Sequence, residues 1–303
     1  MNGLIIKNTG SDYLVRMEDG SNLICKVKGS FRIKGIKSTS PVTVGDRVEC
    51  DTTGYITNLH ERKNYIVRKP TNLSKQLHII AANLDQAILV ITLKNPTTST
   101  TFIDRFLATA EAYHIPTILV FNKIDLLNDE EAHSVNELID LYENLGYECL
   151  KMTATNGAGI TELQDKLSEK ISLLSGNSGV GKSTIINQIV PNRSAKTGEI
   201  SNSHHKGMHT TTFSEMYEID THTFLIDTPG IKGFGMVDMS EVEIGHFFRD
   251  IFKESQACRF NNCSHRHEPD CAVLKAVEEH RIAPSRYESY ISILNDITEG
   301  KYR

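Results

Sequence analysis

The stretch 171-ISLLSGNSGVGKSTIINQIV-190 decides the fold of this chain. An apolar strand pattern over Ile171–Ser175 leads directly into a loop with three glycines, and a helical pattern follows over Ser183–Val190. Glycines let a backbone turn tightly and aim its N–H groups at phosphate oxygens, and a helix N-terminus favours anions. We therefore predict a phosphate-binding loop, although a Gly/Ser-rich loop matching by chance is the alternative. Its residues are Gly176, Asn177, Ser178, Gly179, Val180, Gly181, Lys182, Ser183 and Thr184.

Two of these residues have predicted roles in chemistry. Lys182 reaches the β and γ phosphates of a bound nucleotide, and Ser183 supplies a hydroxyl ligand to Mg²⁺, a hard cation that prefers oxygen. The loop alone does not distinguish ATP from GTP.

A second element, Asn122-Lys123-Ile124-Asp125, indicates which base is bound. Asp125 can accept hydrogen bonds from N1–H and the exocyclic amine of guanine, whereas adenine presents an acceptor at N1 and leaves the carboxylate mispaired. Asn122 can bond the purine edge, and the stem of Lys123 can lie over the ring. The apolar run Thr117–Phe121 predicts a strand whose carboxyl end carries these residues, where open α/β sheets bind ligands. The sequence thus predicts GTP and GDP as ligands.

Weaker elements complete the predicted nucleotide site. Asp227, in Asp-Thr-Pro-Gly after an apolar strand, is placed to hold magnesium, and the N–H of Gly230 can face the γ phosphate. Either Thr210 or Thr211 completes the magnesium shell. Thr153-Ala154 is interpreted as a further base-contacting element, with an ordinary strand-to-loop junction as the alternative.

The order of these elements is unusual, because the base-reading motif precedes the phosphate loop and Asp227 follows both. Most guanine-nucleotide switches carry the phosphate loop first. The chain is therefore predicted to contain a circularly permuted P-loop GTPase domain.

A separate motif, Cys258-x4-Cys263-x-His265-x5-Cys271, has the composition of a metal site. Three thiolates and one imidazole form a closed tetrahedral set typical of structural Zn²⁺, whereas a catalytic zinc needs an open position. Buried or free cysteines are the alternative, and His267 competes with His265 as the fourth ligand.

Together these motifs resemble those of the RsgA family, the bacterial ribosome small subunit-dependent GTPases. The resemblance covers essentially the full chain and implies a cytoplasmic GTPase that binds the small (30S) ribosomal subunit late in its assembly, with hydrolysis stimulated by that subunit. It also supports the nucleotide site at 122–125 and 176–184, and favours His265 over His267. One departure is Met208, where the family more often has arginine before His-Thr-Thr.

Composition and strand patterns predict several domains. The chain has 303 residues, 39% of them hydrophobic, which is too many for one small domain. Five short strand patterns in the first part suit a barrel such as an OB fold. The net charge of −5 confines any RNA contact to a local patch, such as Lys26, Lys28, Arg32, Lys34 and Lys37, for which a solvated face is the alternative.

We accordingly predict a multidomain α/β protein: an OB-fold-like RNA-binding barrel over 1–70, the permuted G domain over 71–235, and a helical zinc-binding domain over 236–303. No apolar run is long enough to span a membrane, and no coiled-coil heptads occur. We expect no membrane association, a cytoplasmic location, a monomer, and the small subunit with its rRNA as partner.

The predicted catalytic residues are Lys182, Ser183, Asp227 and His209. Ile231 follows the Asp-Thr-Pro-Gly motif, where Ras-like enzymes place a water-orienting glutamine, so the isolated enzyme should be slow. His209 is the candidate to orient the water instead, and a polar loop residue or RNA contact is the alternative.

Two other functions remain open at this point. The first is a nucleotide-gated RNA-binding switch whose hydrolysis is incidental. The second is a metal-stabilised adaptor with a decayed nucleotide site, against which the intact Lys182, Ser183, Asp125 and Asp227 argue.

Overall fold

The computed structural model describes residues 1–27, 41–68, 78–190, 215–227 and 240–298. The first part of the chain forms a closed five-stranded barrel. The strand order is β1-β2-β3-β5-β4, and β4 pairs back to β1. Only the β3–β5 pair in this barrel is parallel. The strands are β1 (Asn2–Asn8), β2 (Tyr13–Met17), β3 (Asn22–Val27), β4 (Arg47–Cys50) and β5 (Tyr55–Leu59).

The barrel confirms the predicted OB-like fold. Alternate residues face a closed apolar interior, as a half-buried sheet requires. The turn between β2 and β3 contains Asp19-Gly20, with Gly20 at φ +82°, a conformation that favours glycine. The interior consists of Ile5, Tyr13, Val15, Met17, Cys25, Val42, Val48, Cys50 and Ile56.

An antiparallel ribbon links the barrel to the next domain. It is formed by β6 (Tyr65–Arg68) and β7 (His78–Ala82). The amide of Ala82 donates to the carbonyl of Val44 at 3.0 Å, and Asn83 Nδ2 donates to the carbonyl of Gly45 at 2.9 Å. A side chain at Gly45 would overlap the Ala82 carbonyl, so the barrel and ribbon backbones lie in direct contact.

The central domain is an α/β sheet with helices on both faces. Its spatial order is β10-β9-β8-β11-β13-β12, parallel except for β12. Every residue of the central strands β8, β9 and β11 is buried, as expected for strands covered on both faces. The strands are β8 (Gln86–Ile91), β9 (Thr117–Phe121), β10 (Glu148–Lys151), β11 (Ile171–Gly176), β12 (Glu215–Glu218) and β13 (Phe224–Asp227).

Four helices cover this sheet, two on each face. On one face α1 (Thr100–Ala112) and α2 (Asp129–Asn144) bury their apolar residues. On the other face α3 (Ile160–Leu167) and α4 (Lys182–Ile189) do the same. Helix α3 leads from the edge strand β10 to the central strand β11, which is the connection that a permuted chain requires.

The sheet continues from the central domain into the barrel. Strand β12 pairs antiparallel with β1, with Lys7 opposite Glu215. Lys7 and Glu215 form an ion pair at 3.1 Å, and Arg16 and Glu218 form another at 2.7 Å. The barrel is therefore attached to the central sheet through backbone and side-chain contacts.

The last part of the chain is helical and packs on α1. Its helices are α5 (Glu241–Ile244), α6 (Arg249–Ser255), α7 (Ala272–Glu278) and α8 (Pro284–Thr298). Ser240 and Glu243 form a capping box at the start of α5. Ala108 of α1 belongs to the same apolar core as the side chains of these helices. Within the described ranges, no helix has both the length and the apolar character needed to cross a membrane.

Candidate functional site

The predicted nucleotide-binding elements meet at one edge of the central sheet. Asn122 follows β9, Thr153 follows β10, Gly176 ends β11 and Asp227 ends β13. These four strands are parallel, so their carboxyl ends share an edge, and this edge is where open α/β sheets bind ligands. Elements that are scattered along the chain therefore form one site.

The phosphate loop has a conformation that depends on its glycines. The φ angles of Gly176, Gly179 and Gly181 are +145°, +85° and +104°. A Cβ at Gly176 would lie 2.5 Å from the carbonyl oxygen of Val90, and one at Gly181 would overlap Asn122 Nδ2. The loop can thus pass close to neighbouring chain segments only without side chains at these positions.

Lys182, the first residue of α4, lies over this loop. Its Nζ donates to the carbonyls of Gly176 at 2.6 Å and Asn177 at 2.8 Å. Burial lowers the pKa of Lys182, and the nearby charge of Asp227 acts in the opposite direction. A phosphate at the loop would stabilise the charged ammonium, so the donor set fits an anionic ligand. Ser183, predicted to bind magnesium, is exposed in the same helical turn.

Asn122 ties two of the nucleotide elements together. Its Nδ2 donates to the carbonyl of Val180 in the phosphate loop at 2.8 Å, and its Oδ1 accepts from the amide of Ala154 at 3.0 Å. The side chain is 4% exposed, so both bonds are shielded from water. The residue predicted to bond the purine edge therefore also fixes the distance between the phosphate loop and Thr153-Ala154.

Lys123 makes a second connection across the site. Its backbone is left-handed, with φ +64°, and its Nζ donates to the carbonyl of Gly179 at 2.7 Å and to the carbonyl of Asn95. Asp125 follows in a short 3-10 turn and is exposed. This arrangement leaves the Asp125 carboxylate accessible to a ligand.

The loop after β8 also contacts the nucleotide-binding elements, which the sequence did not predict. Pro96 lies 3.4 Å from where a Cβ of Gly179 would be, and Asn95 accepts from Lys123. No motif signals these contacts, because they depend on how β8 and β11 pair.

The remaining predicted residues of the nucleotide site lie outside the described parts of the chain. They are His209, Thr210, Thr211 and Gly230.

The second site is the Cys/His cluster in the segment between α6 and α7. The ligand atoms of its four residues lie within 4.8 Å of one another, whereas His267 is not part of this group. Their neighbouring separations run from 3.4 to 3.9 Å. A tetrahedral zinc with Zn–S bonds of about 2.3 Å separates its ligand atoms by about 3.8 Å, so the cluster fits this metal. The residues are Cys258, Cys263, His265 and Cys271.

The loop carrying these ligands is held by groups that sequence reasoning did not identify. The Glu268 carboxylate accepts from the amides of Ser264 at 2.6 Å, Arg266 at 3.0 Å and His267 at 3.1 Å. Burial opposes the charged form, but hydrogen bonds from Ser264 and from the amides of His267 and Glu268 itself hold the pKa of Glu268 well below its usual range. Tyr287 donates to the carbonyl of His265 at 2.7 Å. The ligand loop is therefore fixed by the protein around it.

Comparison with known proteins finds full-length similarity. The RsgA GTPase family model matches residues 59–237, and the RsgA N-terminal domain model matches residues 2–56. A relative from Phocaeicola vulgatus, named small ribosomal subunit biogenesis GTPase RsgA, is 57% identical, covering 100% of this chain and 99% of the relative.

Two solved structures are also similar over nearly the whole chain. YjeQ from Thermotoga maritima has a TM-score of 0.78 and 35% identity, with 98% of each chain covered. YloQ, described as a circularly permuted GTPase, has a TM-score of 0.75 and 29% identity, covering 100% of this chain and 96% of YloQ.

Proposed function

Since this chain belongs to the RsgA family of GTPases, we propose that it binds the small (30S) ribosomal subunit and hydrolyses GTP to GDP and phosphate during late maturation of that subunit. The observation that carries the proposal is the Asn122 side chain, which joins the base-reading element to the phosphate loop. The full-length relative from Phocaeicola vulgatus is named small ribosomal subunit biogenesis GTPase RsgA, which supports the small subunit as the partner.

Each residue group at the sheet edge has a proposed task. Guanine is read by Asn122–Asp125 with Thr153-Ala154, and the phosphates lie on Gly176–Thr184. Lys182 stabilises negative charge on the β and γ phosphates, because its ammonium lies at the loop. Ser183 and Asp227, with Thr210 or Thr211, would hold Mg²⁺, which would neutralise charge on the phosphates, and the Gly230 N–H could face the γ phosphate.

Water activation is assigned to His209 on the basis of sequence. Neutral imidazole can accept a hydrogen bond from the attacking water, which Ile231 cannot do. We expect His209→Ala to lower subunit-stimulated turnover at least about a hundredfold, the lower end of the usual contribution of a general base, while GTP affinity stays unchanged. Unchanged stimulated turnover would remove His209 from the mechanism.

The other two domains are proposed to hold a structural metal and to bind rRNA. Cys258, Cys263, His265 and Cys271 hold a structural Zn²⁺, and the barrel contacts rRNA through its basic residues. The proposed domains are 1–70, 71–235 and 236–303, and the proposed state is a monomer in the cytoplasm.

The decisive experiment measures GTP hydrolysis with and without purified small ribosomal subunits. Lys182→Ala provides the blank, and large subunits control for specificity. Stimulation by small subunits alone is the expected result. Tight guanine-nucleotide binding without stimulation would overturn the proposal and favour a nucleotide-gated RNA-binding switch.

A further inference from the structure

The connection between β8 and α1 is a loop with internal hydrogen bonds that lies beside the nucleotide site. We name residues 93–99 the β8–α1 loop. Thr92, which is buried, donates from Oγ1 to the carbonyl of Pro96 at 2.6 Å, and its carbonyl accepts from the amide of Thr98 at 2.8 Å. Thr97 Oγ1 donates to the carbonyl of Leu93 at 3.0 Å. These internal bonds give the loop a defined shape.

Two consecutive residues of this loop hold the base-reading segment at both of its ends. The carbonyl of Asn95 accepts from Nζ of Lys123, immediately before the turn that carries Asp125. Lys94 Nζ donates to both carboxylate oxygens of Glu131, at 2.9 and 3.1 Å, in the first turn of α2 after Asp125. Asp125 therefore lies between two anchor points on one rigid loop.

Glu131 is itself fixed in orientation. Its Oε2 accepts from the amide of Asn128 at 2.9 Å, and its own amide donates to Asn128 Oδ1 at 2.8 Å, which completes a capping box. The hydrogen bond from the Asn128 amide and then the bond from Lys94 lower the pKa of Glu131, so the carboxylate is charged near neutral pH. Lys94 thus meets an anion whose position is set by the start of α2.

We propose that the Lys94–Glu131 pair is a positioning device for guanine recognition, holding the Asp125 turn at the distance from the phosphate loop that the nucleotide requires. The pair acts through the turn and does not contact the nucleotide. The inference rests on the proposed function only through guanine nucleotide binding at this site.

An ion pair as exposed as Lys94–Glu131 contributes little to the free energy of folding. Its loss should therefore change nucleotide binding more than stability. The side chains of Lys94 and Glu131 are 44% and 32% exposed. Lys166 and Glu148 form an ion pair of similar exposure, 39% and 43%, and Glu148 begins β10 at the opposite edge of the sheet. Lys166→Ala is therefore a matched control for Lys94→Ala.

The test compares GDP with IDP, which lacks the exocyclic amine that Asp125 accepts from. Lys94→Ala and Glu131→Gln are the test variants, since glutamine at this position preserves the capping box. Dissociation rates and affinities are measured for both nucleotides, and unfolding temperatures are recorded.

We expect both test variants to speed GDP release about five- to tenfold and to reduce the preference for GDP over IDP about three- to fivefold, which corresponds to about 0.7–1 kcal/mol. Lys94→Arg should keep the GDP release rate and the GDP/IDP preference of the unsubstituted chain, and Lys166→Ala should change neither. The double variant should show effects no larger than those of either single variant.

Faster release with an unchanged GDP/IDP ratio would overturn the positioning role, as would a Lys94→Ala variant that behaves like Lys166→Ala. Absence of GDP binding by the unsubstituted chain would instead overturn the proposed function.

Discussion

The contact between Gly181 and Asn122 shows how strongly single residues constrain this site. Gly181 has φ +104°, and a Cβ there would overlap the Asn122 amide that holds Val180. Any side chain at this position must therefore strain the backbone and displace the group that ties the base-reading element to the phosphate loop.

We expect Gly181→Ala to weaken GDP binding at least about tenfold, because a strained conformation of this kind costs about 1–3 kcal/mol before the displacement of Asn122 is added. Equilibrium binding of a fluorescent GDP analogue measures the loss. Gly20→Ala is the control, since Gly20 has φ +82° but only Arg16 within 4 Å of an added Cβ, in the barrel. Equal binding by Gly181→Ala and the unsubstituted chain would contradict the geometry of the loop.

At the scale of elements, three helices of the described segment 240–298, α5, α6 and α7, are too short to be stable alone. Helices α5, α6 and α7 have 4, 7 and 7 residues, whereas isolated helices below about 12–15 residues are marginal in water. Cys263 and Cys271 belong to the apolar core that these helices share. The Cys/His cluster is thus a structural part of this core as well as a candidate metal site.

We therefore expect Cys271→Ser to lower bound zinc from about one ion per chain to less than about a tenth of that, because structural zinc needs all four ligands. The region after residue 240 should then become sensitive to limited proteolysis. Metal analysis and mass spectrometry of the fragments measure both effects. Cys149→Ser, outside the cluster, should keep the zinc and the protease resistance. Retention of the metal by Cys271→Ser would refute the assigned ligand set.

At the scale of the whole molecule, a buried ion cluster joins the C-terminal helices to the G domain. Arg286 of α8 pairs with Asp104 of α1 at 2.6 Å and with Asp250 of α6 at 3.0 Å, and its side chain is 1% exposed. Tyr142 of α2 also donates to Asp104, at 2.9 Å. Because these groups are shielded from water, α8 cannot separate from α1 without exposing or unpairing them.

Arg286→Met should destabilise the protein by about 3–5 kcal/mol at pH 7, since it leaves buried carboxylates without their cation. Burial raises the pKa of Asp104, and Arg286 opposes this rise. Without Arg286, the Asp104 carboxylate binds a proton more readily in the folded state than in the unfolded state. The free energy of unfolding of the variant therefore falls as pH rises. The loss should therefore be largest at neutral pH and smaller near pH 5.

Denaturant unfolding of both proteins at each pH measures this difference, and effects of the metal ligands cancel in the comparison. Arg281→Ala is the control, because its ion pairs with Glu254 and Glu279 lie at the surface, where such pairs contribute little to stability. A loss for Arg286→Met that does not vary with pH would indicate a packing defect rather than an unpaired charge.

The sequence by itself determined the fold class, the permuted order of the nucleotide motifs and the composition of the Cys/His cluster. These features are local: apolar runs specify buried strands, the glycines of 176–181 specify a tight loop, and the cysteine spacing brings soft ligands together. The comparisons confirm the family and the fold. The roles of His209, Thr210 and Thr211 stay predictions from sequence.

Only the tertiary structure decided which distant residues support the site. No periodic pattern in the sequence predicts these contacts. They are the partners of Asn122, the β8–α1 loop beside Lys123, the pairing of β12 with β1 and the burial of Arg286. Lys94 and Arg286 look like ordinary surface charges when read in order. Their roles arise because the paired strands and packed helices bring an anion to each of them, and such pairing depends on the position of whole elements in space.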